Sequence, residues 1–184
     1  MRILIAAALA GLILSACTTT STVPPPAERP TATRPRDVPV SSLDPCDALT
    51  AAQLDALGVG DPEPSSLPTD PGRRICQWRR SPQEPVEGYL IEHILDFQPE
   101  RLARNPLGAH DIVVSGFPAI ETKSIGASHD QTCQIFVGTA PGQGIQIAYT
   151  YNGRSVPMTR ELACQKARTA AEFAMETLIR QAGG

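Results

Sequence analysis

Aromatic residues make up 4% of this 184-residue chain, which holds a single tryptophan. Its formal charge is −3. Four of the sixteen Lys/Arg residues but two of the nineteen Asp/Glu residues precede residue 43, so the remainder is more acidic than the whole. An acidic domain poor in aromatics lacks the basic footprint of nucleic-acid recognition, which argues against nucleic acid as a partner. A long hydrophobic run is missing too. The charge-free apolar stretch Ile3 to Leu14 rises about 1.5 Å per residue as a helix, too little to cross a bilayer core of about 30 Å. There is no internal repeat, no CxxC pair, no HxxxH spacing and no GxSxG elbow. No GK[ST] follows the glycines of Gly138–Gly144. These absences remove the sequence signatures of zinc ribbons, helical metal sites, α/β-hydrolases and P-loops.

What is present begins with an address. Arg2 supplies a short positive region, Ile3–Leu14 an apolar core, and Leu14-Ser15-Ala16-Cys17 reads as a lipobox. Small residues before a cysteine suit a signal peptide whose cleavage leaves an acceptor thiol. The expected organisation is a lipoprotein signal peptide over 1–16, then Cys17 as the lipidated first residue. Several acyl chains, palmitate among them, hold a protein stably on a membrane where one does not, at roughly 0.8 kcal/mol per buried CH₂. The expected location is the extracytoplasmic side of the cell membrane. Residues 18–42 are rich in Thr, Ser and Pro, with three valines as the sizeable apolar side chains. Such composition cannot bury enough surface to offset ordering entropy, so 17–42 reads as a lipidated, disordered tether. Residues 43–184 then form one globular domain of ordinary size.

With Cys17 acylated, Cys46, Cys76, Cys133 and Cys164 remain. An even count in an exported chain points to two disulfides, with three connectivities open. Pairing sequence neighbours, Cys46–Cys76 and Cys133–Cys164, is favoured. A Cys₄ zinc site would need reduced thiols in an oxidising space, and paired cysteines leave none for nucleophilic chemistry.

Local patterns predict the elements. Thr50 and Gln53 form a capping box, Leu49 and Leu54 the hydrophobic staple around it, and Gly58 a C′ stop. A loop is expected over 61–72. Alternation predicts strands over Arg73–Arg80, Gly88–Phe97, His110–Ser115, Phe117–Lys123, Gln131–Thr139 and Gly144–Tyr151, the last two joined by a turn at Ala140–Gln143. Tyr89, Ile91, His93, Leu95 and Phe97 share one expected face, as do Ile145, Ile147, Tyr149 and Tyr151. One helical turn is expected at Pro99–Ala103. Thr159 caps a closing helix over Arg160–Gln181, with Cys164, Ala171, Met175 and Leu178 on one stripe among alanines. The fold class is α+β: an antiparallel sheet, a short N-terminal helix and a long C-terminal helix packed mostly on one face, with two disulfides.

Asp44-Pro45-Cys46 with Leu49-Thr50 and Leu54, then Cys76-Gln77-Trp78, Gly116-Phe117-Pro118-Ala119, Cys133-Gln134-Ile135 and the Cys164…Ala167…Ala171 helix follow one another behind a lipobox and a Pro-rich stalk. In that order the chain resembles an actinobacterial lipoprotein family known as domain of unknown function 3558. The likeness runs from about residue 44 to 178. It implies an exported lipoprotein without an agreed activity and carries no catalytic residue across. Ala48 stands where the likeness leads one to expect a larger apolar residue.

Three histidines, His93, His110 and His129, sit on different elements, two of them beside Asp111 and Asp130. His93 lies on an apolar strand face and reads as a hydrogen-bonded core histidine rather than a ligand. Arg74, Trp78 and Arg80 share a strand face in the one basic cluster of the domain. They form the candidate binding patch, weighed against an edge strand guarded by charge with Trp78 in the core. No catalytic residue, metal site or cofactor is assigned, and the chain reads as a non-enzyme. The expected function is a membrane-anchored envelope lipoprotein that binds a partner protein or small envelope ligand. The alternative is an envelope hydrolase whose site forms from scattered His and Asp/Glu residues.

Overall fold

Local chemistry sets the first helix. In a computed structural model of the chain, which describes residues 33–67, 70–80, 86–103, 108–122, 131–153 and 157–183, Asp44 caps a 3-10 turn over Pro45–Asp47. Thr50 then caps α1 (Ala51–Leu57). The Gln53 amide donates to the Thr50 hydroxyl, and the Gln53 side chain accepts from the Thr50 amide at 2.8 Å. Gly58 stops the helix at φ 68°, a left-handed conformation that glycine adopts without a Cβ clash.

Seven strands follow: β1 (Glu63–Leu67), β2 (Asp70–Arg79), β3 (Val86–Ile94), β4 (Ala109–Val114), β5 (Phe117–Thr122), β6 (Thr132–Ala140) and β7 (Gln143–Asn152). They form one sheet in the order β1-β2-β3-β7-β6-β5-β4, and each neighbouring pair runs antiparallel. Two meanders therefore meet at the β3–β7 seam. A short helix, α2 (Pro99–Ala103), lies in the connection that carries the chain from β3 to the far edge. β1 occupies part of the stretch expected to be a loop. Its Pro and Ser residues suit an edge, where one side of the backbone needs no ladder partner.

The long helix α3 (Arg160–Gln181) is capped by Thr159, whose hydroxyl accepts from the Leu162 amide at 3.3 Å. Its alanines (163, 167, 170, 171 and 174) are buried with Met175 and Leu178 against the sheet. Facing them are Trp78, Tyr89, Ile91, Ile135, Val137, Ile145, Ile147 and Tyr149 in the same core. Small side chains let helix and sheet approach closely, so the larger strand residues fill the layer between them. Cys133–Cys164 joins β6 to α3, and Cys46–Cys76 joins the 3-10 turn to β2, each with a Cα–Cα distance of 5.0 Å. The α+β class, the antiparallel sheet, both helices and both disulfide pairings are as the sequence predicts.

Three expectations are corrected. The folded part starts before residue 43: Val38 and Val40 are fully buried, and the Val38 amide donates to the Thr139 carbonyl at 2.8 Å. The tether's valines thus include two core residues, and residues 33–43 form a strap across the sheet end. Next, β3 ends at Ile94 rather than Phe97. Leu95 is exposed, while Phe97 turns to the opposite sheet face and lies against Gly138 and Gly144. A Cβ on Gly144 would sit 2.8 Å from the Phe97 ring and 2.7 Å from the Val137 carbonyl, so glycine is required there. Finally, the strand expected over His110–Ser115 ends at Val114, and Ser115 adopts φ 51° and Gly116 φ 84°. Two successive positive φ angles mark a tight hairpin turn between β4 and β5 that matches strand twist.

Candidate functional site

Strand alternation puts Arg74, Cys76, Trp78 and Arg80 of β2 and the residue after it on the α3 side of the sheet. Glu87, Tyr89, Ile91 and His93 of β3, and Ile145, Ile147, Tyr149 and Tyr151 of β7, lie on the same side. Charged groups occur at both ends of this apolar layer. At the end where α3 begins, the Arg80 amide donates to the Glu87 carbonyl, and Glu87 pairs across β7 with Tyr151.

Glu87 is almost fully buried, yet it is surrounded by donors. Lys166 of α3 reaches Oε1 at 2.6 Å, the Tyr149 hydroxyl donates to the same oxygen at 3.0 Å, and Arg80 meets Oε2 at 3.0 Å. Burial would raise its pKa. The hydrogen bonds from Lys166 and Arg80, the Lys166 charge and the Tyr149 hydroxyl outweigh burial and hold it below the ordinary glutamate value. The carboxylate is therefore ionised inside the protein. Their own burial, and then the Glu87 charge, push Tyr149 and Tyr89 upward, which keeps both phenols neutral. Tyr89 and Tyr149 pack with ring centroids 5.2 Å apart, and the Lys166 ammonium lies 5.4 Å from the Tyr149 ring centre.

Beside this satisfied cluster are unsatisfied donors. Among the described residues, the Tyr151 hydroxyl is buried without a hydrogen-bond partner, as are both terminal nitrogens of the Arg160 guanidinium, at the first residue of α3. Buried polar groups are nearly always paired, and buried charges almost without exception, so these atoms mark a place where an acceptor is wanted.

The opposite end is built differently. His93 is 3% exposed, and neither ring nitrogen meets hydrogen-bond geometry with any of the described residues. The expected core location is observed, and the backbone of Val40 and Leu43 comes close enough to act on the ring without reaching full hydrogen-bond geometry. The strap accounts for this. Arg74 donates to the Val40 and Ser41 carbonyls at 3.2 and 2.7 Å, and Gln143 accepts from the amides of the same two residues. Arg74 and Gln143 thereby engage the polar groups of Val40 and Ser41 ahead of the ring. Burial, and then the Arg74 charge, push the His93 pKa down to about 4 against weaker pulls from the backbone of Leu43 and Val40 and from Asp44.

The candidate patch does not form a continuous surface. Trp78 is fully buried, so it cannot anchor a partner from outside, and its indole nitrogen has no hydrogen-bond partner among the described residues. Arg74 clamps the strap. Arg80 keeps an exposed side chain but holds Glu87. Their shared face points into the helix layer, and the core reading of Trp78 prevails. His93 and His110 stand on β3 and β4, with β7, β6 and β5 between them. His129, Asp130 and Cys17 lie outside the described residues. Glu121, Cys133 and Cys164 converge within 4.8 Å, but both sulfurs are consumed by the disulfide and Glu121 pairs with Arg168 at 2.6 Å, so this trio offers no thiolate to a metal. Sequence reasoning missed Glu87, Lys166 and Arg160. The available signal was an ionisable residue at each start of β3 and α3, next to the tyrosine rows.

A family model described as "Protein of unknown function (DUF3558)" matches residues 12–177. The chain belongs to that family. No curated protein and no solved structure matches the chain. The family motifs are mainly fold-holding here: Cys46, Cys76, Cys133 and Cys164 form the disulfides, Thr50 caps α1, Trp78 fills the core, and Gly116 makes the β4–β5 turn.

Proposed function

We propose that this member of the family is an actinobacterial cell-envelope lipoprotein. Acyl chains on Cys17 anchor it to the outer side of the cell membrane, and its folded domain binds a small envelope ligand. The observation carrying the binding reading is the set of buried, unpartnered donors beside the Glu87 cluster, which ask for acceptors the described residues do not provide. The anchoring reading is supported by the lipobox Leu14-Ser15-Ala16-Cys17, and two disulfides fit an oxidising compartment better than the cytoplasm. No helix among the described residues is long and apolar enough to cross a membrane. A non-catalytic role fits a site whose one buried carboxylate is fully committed to three donors.

Two measurements test this. Wild-type protein should fractionate with membranes carrying the added mass of acyl chains, while Cys17→Ser should be released or remain as precursor. A serine variant found on membranes at mature mass would refute the anchor. Native mass spectrometry of protein purified from its own membranes should reveal a bound small molecule; repeated recovery of bare protein alone would count against ligand binding.

A further inference from the structure

The unpartnered donors at the start of α3 can be placed relative to one another. Cys164 is bonded to Cys133 of β6. Four residues further along the helix, Arg168 pairs with Glu121, which lies opposite Ile135, two residues further along β6. Helix and strand thus advance together, one turn for two strand residues, at about 6 Å and about 6.7 Å respectively. Stepping back by the same amount places Arg160 over Gln131. The Tyr151 amide donates to the Gln131 carbonyl at 2.9 Å, so Tyr151 is its neighbour in that row, on the face turned toward α3. Arg160 and Tyr151 therefore converge beneath the first turn of the helix. Tyr151 is 4% exposed.

Chemistry then selects what belongs between them. The terminal guanidinium nitrogens of Arg160 only donate, and a phenol hydroxyl can donate beside them, so the missing partner is an acceptor. Charge selects further. Arg80 and Lys166 share the single carboxylate of Glu87, and Arg160 adds a third cation. Glu161, in the first turn, is exposed. The start of the helix adds a partial positive charge. We infer that the Arg160–Tyr151 end of the helix–sheet layer is an oxyanion subsite, taking the phosphate or carboxylate group of a small ligand through the Arg160 fork and the Tyr151 hydroxyl. This rests on the binding reading above and names the ligand's chemical class.

The test uses the full acylated chain in neutral detergent and isothermal titration with four probes. These are inorganic phosphate, acetate, water-soluble dihexanoyl phosphatidylglycerol and, as a neutral control, hexyl glucoside. At least one anion should bind saturably at one per chain. Strongest binding by phosphate or acetate indicates a free anion, and strongest binding by the phosphatidylglycerol a lipid headgroup. Arg160→Gln should weaken that binding at least about tenfold, the scale of a lost charged hydrogen bond, and Tyr151→Phe by a smaller factor. Arg180→Gln, at the far end of α3, should leave it unchanged. If Arg160→Gln does not fold by circular dichroism, Arg160→Lys and Tyr151→Phe decide, since both keep shape and should still lower affinity. No saturable anion binding by the wild type, or equal binding by folded Arg160 and Tyr151 variants, overturns the inference. Binding of hexyl glucoside with no response to the anions overturns the oxyanion assignment while leaving ligand binding intact.

Discussion

Glu87 and His93 stand on one strand, on one face, six residues apart, and both are nearly inaccessible to water. Their surroundings drive them to opposite states. Glu87 is encircled by two cations and a phenol, so it remains charged in the interior. At His93, burial and then the Arg74 charge outweigh the weaker pulls of the Leu43 and Val40 backbone and of Asp44, so it remains neutral. Burial penalises the charged form at both sites. What separates them is whether neighbouring groups of the right sign and geometry compensate. The Glu87 end is a finished electrostatic structure with spare donors at its margin. The His93 end is a closed lid of backbone.

The largest test of that contrast removes a partner from the compensated site. Lys166→Met leaves a buried carboxylate with Arg80 and Tyr149, and should cost about 2–3 kcal/mol in urea unfolding at pH 7, toward the low side of values for broken buried pairs because Arg80 remains. Glu87's folded pKa is lowered, so its contribution exists above about 4.5 and fades as pH falls below that value. The penalty of Lys166→Met should shrink over the same range. A constant penalty down to pH 3 would mean that packing, not charge, held the site.

The second test addresses the uncompensated site. His93 titrates near 6.5 when unfolded and about 4 when folded, so the unfolded chain binds the extra proton between those values. Stability conferred by the neutral ring is therefore complete above about 6.5 and lost as pH falls toward 4. The loss amounts to up to about 3 kcal/mol. His93→Leu should flatten this part of the stability–pH curve. If the slope between pH 6.5 and 4 survives the substitution, another group is responsible.

The smallest effect calibrates both. Thr50→Ala removes a cap distant in kind from either cluster and should cost about 1 kcal/mol independent of pH between 4 and 8. A pH-dependent loss there would show that the two ends are not electrostatically separate.

Elements governed by local chemistry were legible in the sequence. The Thr50–Gln53 box, the Thr159 cap, the Ala-rich stripe of α3 and the strand alternation each depend on residues within a few positions. The disulfide pairing followed from export and proximity in sequence. The site was less legible, because its parts come from β3, β7 and α3 and meet through register. Nothing local tells Glu87 that Lys166 will arrive seventy-nine positions later. The strap misled for a related reason: Val38 and Val40 sit in a segment whose average composition is that of a stalk, and averages conceal two residues that pack. Trp78 was legible only as two alternatives, surface anchor or core, and three-dimensional packing chose between them.

The order in which the strap is fastened gives the domain a graded response to tension. A pull arriving from its N-terminal side first loads the Val38–Thr139 bond and the Gln143 and Arg74 clasps, all breakable, before reaching Cys46. From there the covalent bridge passes load directly into β2, next to the central strands. A sustained tug would thus peel a few residues and bare His93, then stall, leaving the helix–sheet layer unopened.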